Sequence, residues 1–330
     1  MLRERDSFCY KLRQKLSRFF FIGKCLKRLF LRKVKMDMSS ILIRACEKGD
    51  LAKVKSLVKQ GVDIHKDNEH ALRSEIRGGY PNIVKYLIRK GADVRAHDNY
   101  PLRVAATEGH LDIVKYLIRK GADVHTCDNY PLRMAATEGH LDIVKYLIRK
   151  GADIKQYGGS ALIRAADYGH LGVVEYLSGK GVDIHADGDA ALRYAAESGH
   201  LGVVKYLVEK GADIHIQDDA ALRRATANGH LEVVKYLISK GANIHAGNNA
   251  ALKCAVRCKK LNIVRYLISK GADVKEIDYK ELVLYKDRKL VYFLWNKLPV
   301  KDILPFLTSG SSELRKAAKE YLERRGHEGT

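Results

Sequence analysis

The sequence has little proline, a single tryptophan and no long uncharged apolar run. Only 5 of the 330 residues are proline, which favours a mostly helical structure over a loop-rich one. The longest uncharged apolar stretch near the amino end, Phe19–Gly23, lies between Arg18 and Lys24 and is too short to span a bilayer. No Asn-x-Ser/Thr sequon occurs. These absences argue against an integral membrane protein and against a secreted glycoprotein.

Patterns that would indicate disulfides, metal sites or catalysis are missing as well. The 6 cysteines show no paired spacing, so we expect free thiols in a reducing, intracellular compartment, either cytoplasm or nucleus. The sequence contains no Gly-Lys-Ser/Thr phosphate loop, no Gly-x-Ser-x-Gly elbow and no His-Glu-x-x-His motif. We therefore predict that the chain is no enzyme and has no catalytic residue, metal site, cofactor or small-molecule substrate.

What the sequence does contain is an internal repeat. One glycine recurs every 30 residues, and a Gly-His pair follows it in constant phase. Between the two markers, apolar residues are spaced as on one face of a helix. Two short helices of this kind cannot bury their apolar faces alone, so the units must stack on one another. We number the repeats one to eight by their closing glycines: Gly61, Gly91, Gly121, Gly151, Gly181, Gly211, Gly241 and Gly271.

Repeat six illustrates the packing that this pattern predicts. The adjacent small residues Ala195 and Ala196 let a neighbouring helix approach closely, and Gly199 ends the first helix because it can adopt a left-handed conformation. The second helix has a tyrosine that recurs in seven repeats, which predicts an aromatic column between units. These tyrosines are Tyr86, Tyr116, Tyr146, Tyr176, Tyr206, Tyr236 and Tyr266.

These motifs resemble the ankyrin repeat over about residues 39–276. The matching elements are Leu192 with Ala195-Ala196, then Gly199-His200-Leu201, Val203-Val204, Tyr206-Leu207 and Gly211-Ala212-Asp213. The resemblance implies an all-α ankyrin-repeat solenoid of helix-turn-helix units that binds a partner protein through its concave face. The Lys-Tyr-Leu and Gly-Ala-Asp-Ile-His motifs also resemble the ankyrin proteins of giant amoeba-infecting DNA viruses, which would make the partner a host protein.

The sequence departs from the ankyrin pattern in three ways. Each unit is about three residues shorter than usual, which predicts shortened inter-repeat hairpins. A row of basic residues replaces the family's histidine, and we expect it to pair with acids such as Asp98, Asp128 and Asp218. This arginine row comprises Arg73, Arg103, Arg133, Arg193 and Arg223, followed by Lys253. In repeat two, Glu75 and Ile76 stand in place of the paired alanines. A glutamate at a packing site is unfavourable unless it is paired or solvated, so we expect local distortion there.

The chain divides into three predicted parts. Residues 1–38 form a basic amphipathic arm, residues 39–276 form the eight repeats, and residues 277–330 form a degenerate capping repeat with a terminal helix, Glu313–Arg325, ended by Gly326. Residues 1–40 contain 12 Lys/Arg against 3 Asp/Glu, so the arm could bind nucleic acid or an anionic membrane. Alternatively, it folds onto the first repeat, or the translated chain starts at Met36 or Met38.

Two ladders of charged or titratable residues run through the repeats. Histidines recur every 30 residues, but neighbouring repeats are about 10 Å apart, too far for several of them to bind one zinc ion. We therefore interpret them as structural. A lysine ladder on the second helices could follow phosphates, although a solvated surface is the simpler interpretation. Its members are Lys85, Lys115, Lys145, Lys205, Lys235 and Arg265, interrupted by Glu175.

Residues that vary while the frame stays constant mark the expected binding surface. Most follow the paired alanines on the first helices, where the ankyrin resemblance places the concave groove. The position directly before the alanines varies too. Tyrosine and arginine dominate binding hot spots, so Arg164, Tyr168 and Tyr194 are the best anchors. We expect a monomer that binds through Thr107, Glu108, Thr137, Glu138, Arg164, Asp167, Tyr168, Tyr194, Glu197, Ser198, Arg224 and Asn228.

Overall fold

A computed structural model describes residues 38–277, 279 and 288–327. Apart from Met38, the predicted basic arm therefore lies outside the described residues. Within the described residues the chain is helical and contains no strand. It forms two compact units: the N-terminal unit comprises the described residues up to Ala135 together with Lys145–Ala152, and the C-terminal unit comprises Ala136–Val144 together with the described residues from Asp153.

The helices alternate between a longer first helix and a nine-residue second helix, as the repeat predicts. In the first half of the chain they are α1 (38–47), α2 (Leu51–Lys59), α3 (Lys66–Gly78), α4 (Pro81–Arg89), α5 (Ala96–Thr107), α6 (Leu111–Arg119), α7 (Thr126–Thr137) and α8 (Leu141–Arg149). They continue with α9 (Ile154–Asp167), α10 (Leu171–Gly179), α11 (Ala186–Ser198), α12 (Leu201–Glu209), α13 (Ile216–Asn228), α14 (Leu231–Ser239), α15 (Ala246–Arg257) and α16 (Leu261–Ser269).

The Gly-His loops join neighbouring repeats by close packing. Gly79 has a φ of 71°, and a Cβ there would lie 2.6 Å from Cε1 of His110 in the next repeat. Glycine is therefore needed both for the left-handed backbone and for the space that the ring occupies. In the C-terminal unit, His200 packs against Gly169 in the same way. Tyr80 takes the place of the histidine in repeat two and packs against Gly49.

The shortened hairpins are single left-handed turns. In repeat six the turn consists of Asp187, Gly188 and Asp189, all with positive φ, at the start of α11. Such turns favour Asn, Asp and Gly because these residues tolerate this conformation best. Asp189 is buried, and its Oδ1 accepts from the backbone N–H of Asp213, 3.2 Å away in the next repeat. The turn therefore replaces the usual hairpin and also links one repeat to the next.

Three members of the arginine row, Arg133, Arg193 and Arg223, bind carbonyl oxygens of these turns. Arg193 donates from Nε to the Gly188 oxygen at 3.0 Å and from Nη2 to the Asp187 oxygen at 2.7 Å. Arg223 donates in the same way to the oxygen of Gln217, 2.9 Å away. For Arg223 the acceptor is thus a main-chain carbonyl of the turn rather than the Asp218 carboxylate that we expected. Together, Arg193 and Arg223 satisfy turn carbonyl groups that would otherwise need another hydrogen-bond donor.

Glu75 is completely buried in helix α3, at 0% exposure. Burial raises the pKa of its carboxyl from 4.5 to about 8, and an interaction with the buried Cys46 thiol offsets only part of that rise. Burial and the nearby Glu75 in turn raise the pKa of the Cys46 thiol. Helix α3 continues without a break through Glu75 to Gly78, so the expected distortion of the helix is wrong. The chain accommodates this residue as a neutral, protonated acid.

The C-terminal end continues the repeat pattern further than its sequence indicated. Helix α17 (Arg288–Trp295) is followed by α18 (Val300–Ile303), the 3₁₀ turn Leu304–Thr308 and α19 (Ser312–His327). The last helix buries Leu314, Ala317 and Ala318, the spacing at which repeat six has Leu192, Ala195 and Ala196. It is therefore built like the first helix of a further repeat. It extends to His327, so the prediction that Gly326 ends it is wrong.

An aromatic cluster fills the space beneath α19. The Trp295 ring stacks on Phe306 with centroids 5.5 Å apart and meets Tyr321 edge-on at 5.5 Å. Tyr279 lies 5.3 Å from Phe306 and donates its hydroxyl to the Val274 carbonyl at 2.8 Å. These contacts give the end of the stack a core of its own.

Candidate functional site

A cavity of about 320 Å³ lies between the first helices of repeats five and six, on the side that holds the predicted binding residues. Three of those residues, Arg164, Asp167 and Tyr194, line it. The cavity exists because the α9 and α11 helices pack through small buried alanines, which leave the longer side chains outside the helix contact. Its other lining residues are Ser160, Ile163, Asp187, Ala190 and Arg193.

Two exposed tyrosines accompany this cavity. Tyr168 is 52% exposed and Tyr194 is 37% exposed, which places them among the most exposed large hydrophobic residues of the described chain. The side chain of Arg164 is exposed as well. Exposed aromatic rings that remain partly in water contribute free energy when a partner covers them. The three predicted anchors are therefore accessible and belong to neighbouring repeats.

A hydrogen-bonded network fixes the other predicted residues of repeats five to seven. Ser198 donates its hydroxyl to Asp167 at 2.9 Å, and Arg224 pairs with Glu197. The Arg224 guanidinium also lies over the Tyr194 ring, 5.2 Å from its centroid. Because these contacts link three repeats, the charged groups are held in place rather than free to reorient. Asn228 adds a donor to the Arg224 carbonyl oxygen at 3.0 Å.

The predicted residues of repeats three and four are less favourable for binding. Thr107 donates its hydroxyl to the carbonyl of Arg103 at 3.0 Å within its own helix. Glu108 is exposed and lies 3.9 Å from the Nε atom of Arg77. Glu138 is exposed, whereas Thr137 is only 6% exposed and offers a partner little surface.

A second cavity on the first-helix side was not predicted from the sequence. It encloses about 420 Å³ in the N-terminal unit and occupies the same repeat positions as the first. His70 corresponds to Ser160, and Arg77 corresponds to Asp167, each three repeats later in the chain. The repeat register could therefore have identified this second cavity from the sequence, because residues at the same repeat positions line the cavity between repeats five and six. The lining residues are Glu47, His70, Arg73, Ser74, Arg77, Gly78 and Tyr100.

A histidine follows five of the eight closing glycines, and four of these five contact a side chain four residues later. His185 Nδ1 lies 3.0 Å from Asp189 Oδ1, and His245 Nδ1 lies 2.9 Å from Asn249 Oδ1. His65 contacts Glu69 in the same position at 2.5 Å, and this hydrogen bond raises the pKa of His65. Among the described residues, no group of three or more His, Cys, Asp or Glu is placed to hold a metal ion.

The fold and this surface define a helical repeat protein built from stacked helix pairs. The family model for ankyrin repeats (three copies) matches residues 22–98, 42–128, 102–187, 132–218 and 194–278. The chain therefore belongs to the ankyrin-repeat family, and its fold is an all-α ankyrin-repeat solenoid, as predicted. Ankyrin repeats are protein–protein interaction modules. A search of curated proteins found no match. In the described part of the chain, no helix is long and apolar enough to cross a membrane.

Proposed function

We propose that this chain is a non-enzymatic scaffold that binds a partner protein through the first helices of repeats five to seven. The observation that carries the proposal is the exposure of Tyr168 and Tyr194 beside a cavity that Arg164 also lines. Tyrosine and arginine account for a large share of binding energy at protein interfaces. Among the described residues, Tyr168 and Tyr194 are the only tyrosines that are exposed rather than half-buried or buried.

The network around the cavity supports a preorganised surface. Glu197 and Arg224 are paired across two repeats, and Asp167 accepts from Ser198. A partner therefore meets fixed charges, so binding orders fewer side chains of this surface and costs less conformational entropy. The scaffold acts as a monomer inside the cell, where its free thiols stay reduced, and the resemblance to giant-virus ankyrin proteins makes a host protein the first partner to seek.

The test is affinity capture with the full chain, followed by mass spectrometry. The R164A/Y168A/Y194A variant removes the three anchors. We expect it to lose the partner, with affinity at least about 100-fold lower, because hot-spot truncations cost about 2 kcal/mol each and act together. Circular dichroism checks that the variant is folded.

The repeat supplies a matched control. V104A/E108A/M134A changes the corresponding positions two repeats earlier in the chain, and we expect it to retain the partner. Equal loss in both variants would contradict the assignment to repeats five to seven. Capture of nucleic acid alone, with no protein that survives nuclease treatment, would contradict the scaffold itself.

A further inference from the structure

The second helices of repeats one to three present an unusually basic surface. Helices α2, α4 and α6 pack one after another within the N-terminal unit. Each offers three outward positions: one in the middle of the helix and two at its carboxyl end. Eight of these nine positions hold a lysine or arginine, and the ninth is Gln60. We call the eight the basic face: Lys55, Lys59, Lys85, Arg89, Lys90, Lys115, Arg119 and Lys120.

The positive charges of the basic face are not neutralised by ion pairs among the described residues. Among the described residues, none of the eight forms an ion pair, and Lys85 and Lys115 are half-buried while the others are exposed. Lys120 has a contact with an aromatic ring, with its Nζ 5.9 Å from the centroid of Tyr116. The only acidic residue within these three helices is Asp112, at the amino end of α6. The basic face therefore has uncompensated positive charge.

The same helices in the C-terminal unit show that the fold does not require this charge. Helices α10, α12 and α14 also pack consecutively. Their nine corresponding positions hold five lysines, two glutamates, one glycine and one serine. Cations at a helix carboxyl end do stabilise the helix dipole, but Gly179 and Ser239 occupy that end in well-formed helices. We call these nine the comparison face: Glu175, Gly179, Lys180, Lys205, Glu209, Lys210, Lys235, Ser239 and Lys240.

We propose that the basic face binds the phosphate backbone of a nucleic acid without reading its bases. Rows of lysine and arginine on a rigid surface displace counterions from phosphates, which supplies affinity independent of sequence. Stacking on the bases would need exposed aromatic rings, and the tyrosines of α4 and α6 are half-buried. A membrane surface is disfavoured because α2, α4 and α6 have no exposed large hydrophobic residue to insert.

The test measures binding of a short fluorescein-labelled DNA duplex to the full chain by anisotropy over a range of salt concentrations. The K85Q/R89Q/K115Q/R119Q variant removes four charges from the basic face. We expect at least about 10-fold weaker binding at low salt, and a salt slope that is shallower by about one for each phosphate that the variant no longer neutralises. The milder K115Q/R119Q variant should lie between it and the unaltered chain.

The matched control is K180Q/K205Q/K210Q/K235Q, which removes the same number of charges from the comparison face. We expect its affinity for the duplex to stay within about 2-fold of the unaltered chain, because the comparison face does not contact the DNA. If net charge alone decided binding, both variants would lose affinity equally. Equal loss in the two variants would overturn the proposal. So would binding that depends only on cations in residues 1–37, or binding to phosphatidylserine vesicles but not to the duplex. Thermal unfolding by circular dichroism establishes that all variants are folded.

Discussion

At the packing site between neighbouring first helices, repeat two has Glu75 where repeats five and six have Ala165 and Ala195. All three residues are completely buried, at 0% exposure. The alanines let the helices approach closely, whereas the glutamate places an ionisable group in the same position, where burial raises its pKa to about 8. The N-terminal unit thus contains a buried acid at a site that the C-terminal unit fills with alanine.

The surfaces of the two units also differ, in the charge of the second helices and in the side chains that the first helices expose. The second helices of repeats one to three hold a cation at eight of nine outward positions. Repeats five to seven hold only five there, and their first-helix side has Tyr168, Tyr194 and Arg224. The difference teaches that the two sides of a repeat vary independently. Because each repeat contacts only its neighbours through a fixed set of small and apolar residues, the outward positions on either helix can change without altering the frame.

The first prediction transfers the acid of repeat two to the C-terminal unit. We expect A195E to destabilise the repeats around it by about 3 kcal/mol or more, because it adds volume and an unpaired carboxyl to a close-packed site. Urea unfolding followed by circular dichroism measures the loss. A195S, which adds a single oxygen, is the control and should cost less. If A195E is as stable as the unaltered chain, packing in the two units does not differ as described.

The second prediction concerns the pH dependence of the N-terminal unit. The folded chain keeps Glu75 protonated up to a pKa of about 8, whereas the unfolded carboxyl releases its proton near 4.5. The contribution of protonated Glu75 to the free energy of unfolding is therefore fully present below pH 4.5. It falls as the pH rises towards 8, by at most about 1.4 kcal/mol per pH unit. Hydrogen exchange of the α3 amides, corrected for the intrinsic rate, measures this local stability.

Two substitutions isolate the contribution of Glu75. E75Q keeps the volume of the side chain and should abolish the fall in α3 stability with rising pH. E75M should stabilise α3 by about 2 kcal/mol near neutral pH because it removes a buried carboxyl. Exchange in α11 provides the internal reference, since Ala195 does not titrate. A slope in α3 that survives E75Q would assign the pH dependence to another group, such as His65.

The third and smallest prediction concerns the tyrosine column. Ser178 and Tyr206 share a hydrogen bond of 2.5 Å, while the hydroxyl of Tyr236 is buried without a partner. Val208 occupies the position one repeat after Ser178. We expect S178V to destabilise the chain by about 1 kcal/mol and V208S to stabilise it by a similar or smaller amount. Thermal unfolding compares the two, and effects of the same sign would contradict this account of the column.

Much of the frame was predictable because it follows from one-dimensional spacing. The nine-residue second helices, the glycines that end helices and the Gly-His contacts all depend on residue types that recur in phase. The left-handed turns were not predictable, since a positive φ is uncommon for residues other than glycine and here occurs at three consecutive positions. Asp189 and Asn249 at these turns were visible in the sequence, but their bonds to backbone groups 24 residues later depend on how neighbouring repeats pack.

The binding surface was predictable in part. The variable positions identified Arg164, Tyr168 and Tyr194, which the structure leaves exposed beside or near one cavity. Sequence variation alone did not separate these from Thr137, because burial depends on the side chains of neighbouring helices rather than on position in the repeat. The terminal helix α19 was predicted, but its likeness to the first helix of a repeat was not, because the segment 300–308 breaks the phase of the motif.

The aromatic cluster beneath α19 makes one end of the chain optically distinct. Trp295 is the only tryptophan, and Tyr279, Tyr292 and Tyr321 have ring centroids within 6.2 Å of it. Light restricted to the tryptophan absorption band excites Trp295 and leaves the tyrosines of the repeats unexcited. Intrinsic fluorescence excited in that band therefore reports on the carboxyl-terminal end alone, without any attached dye.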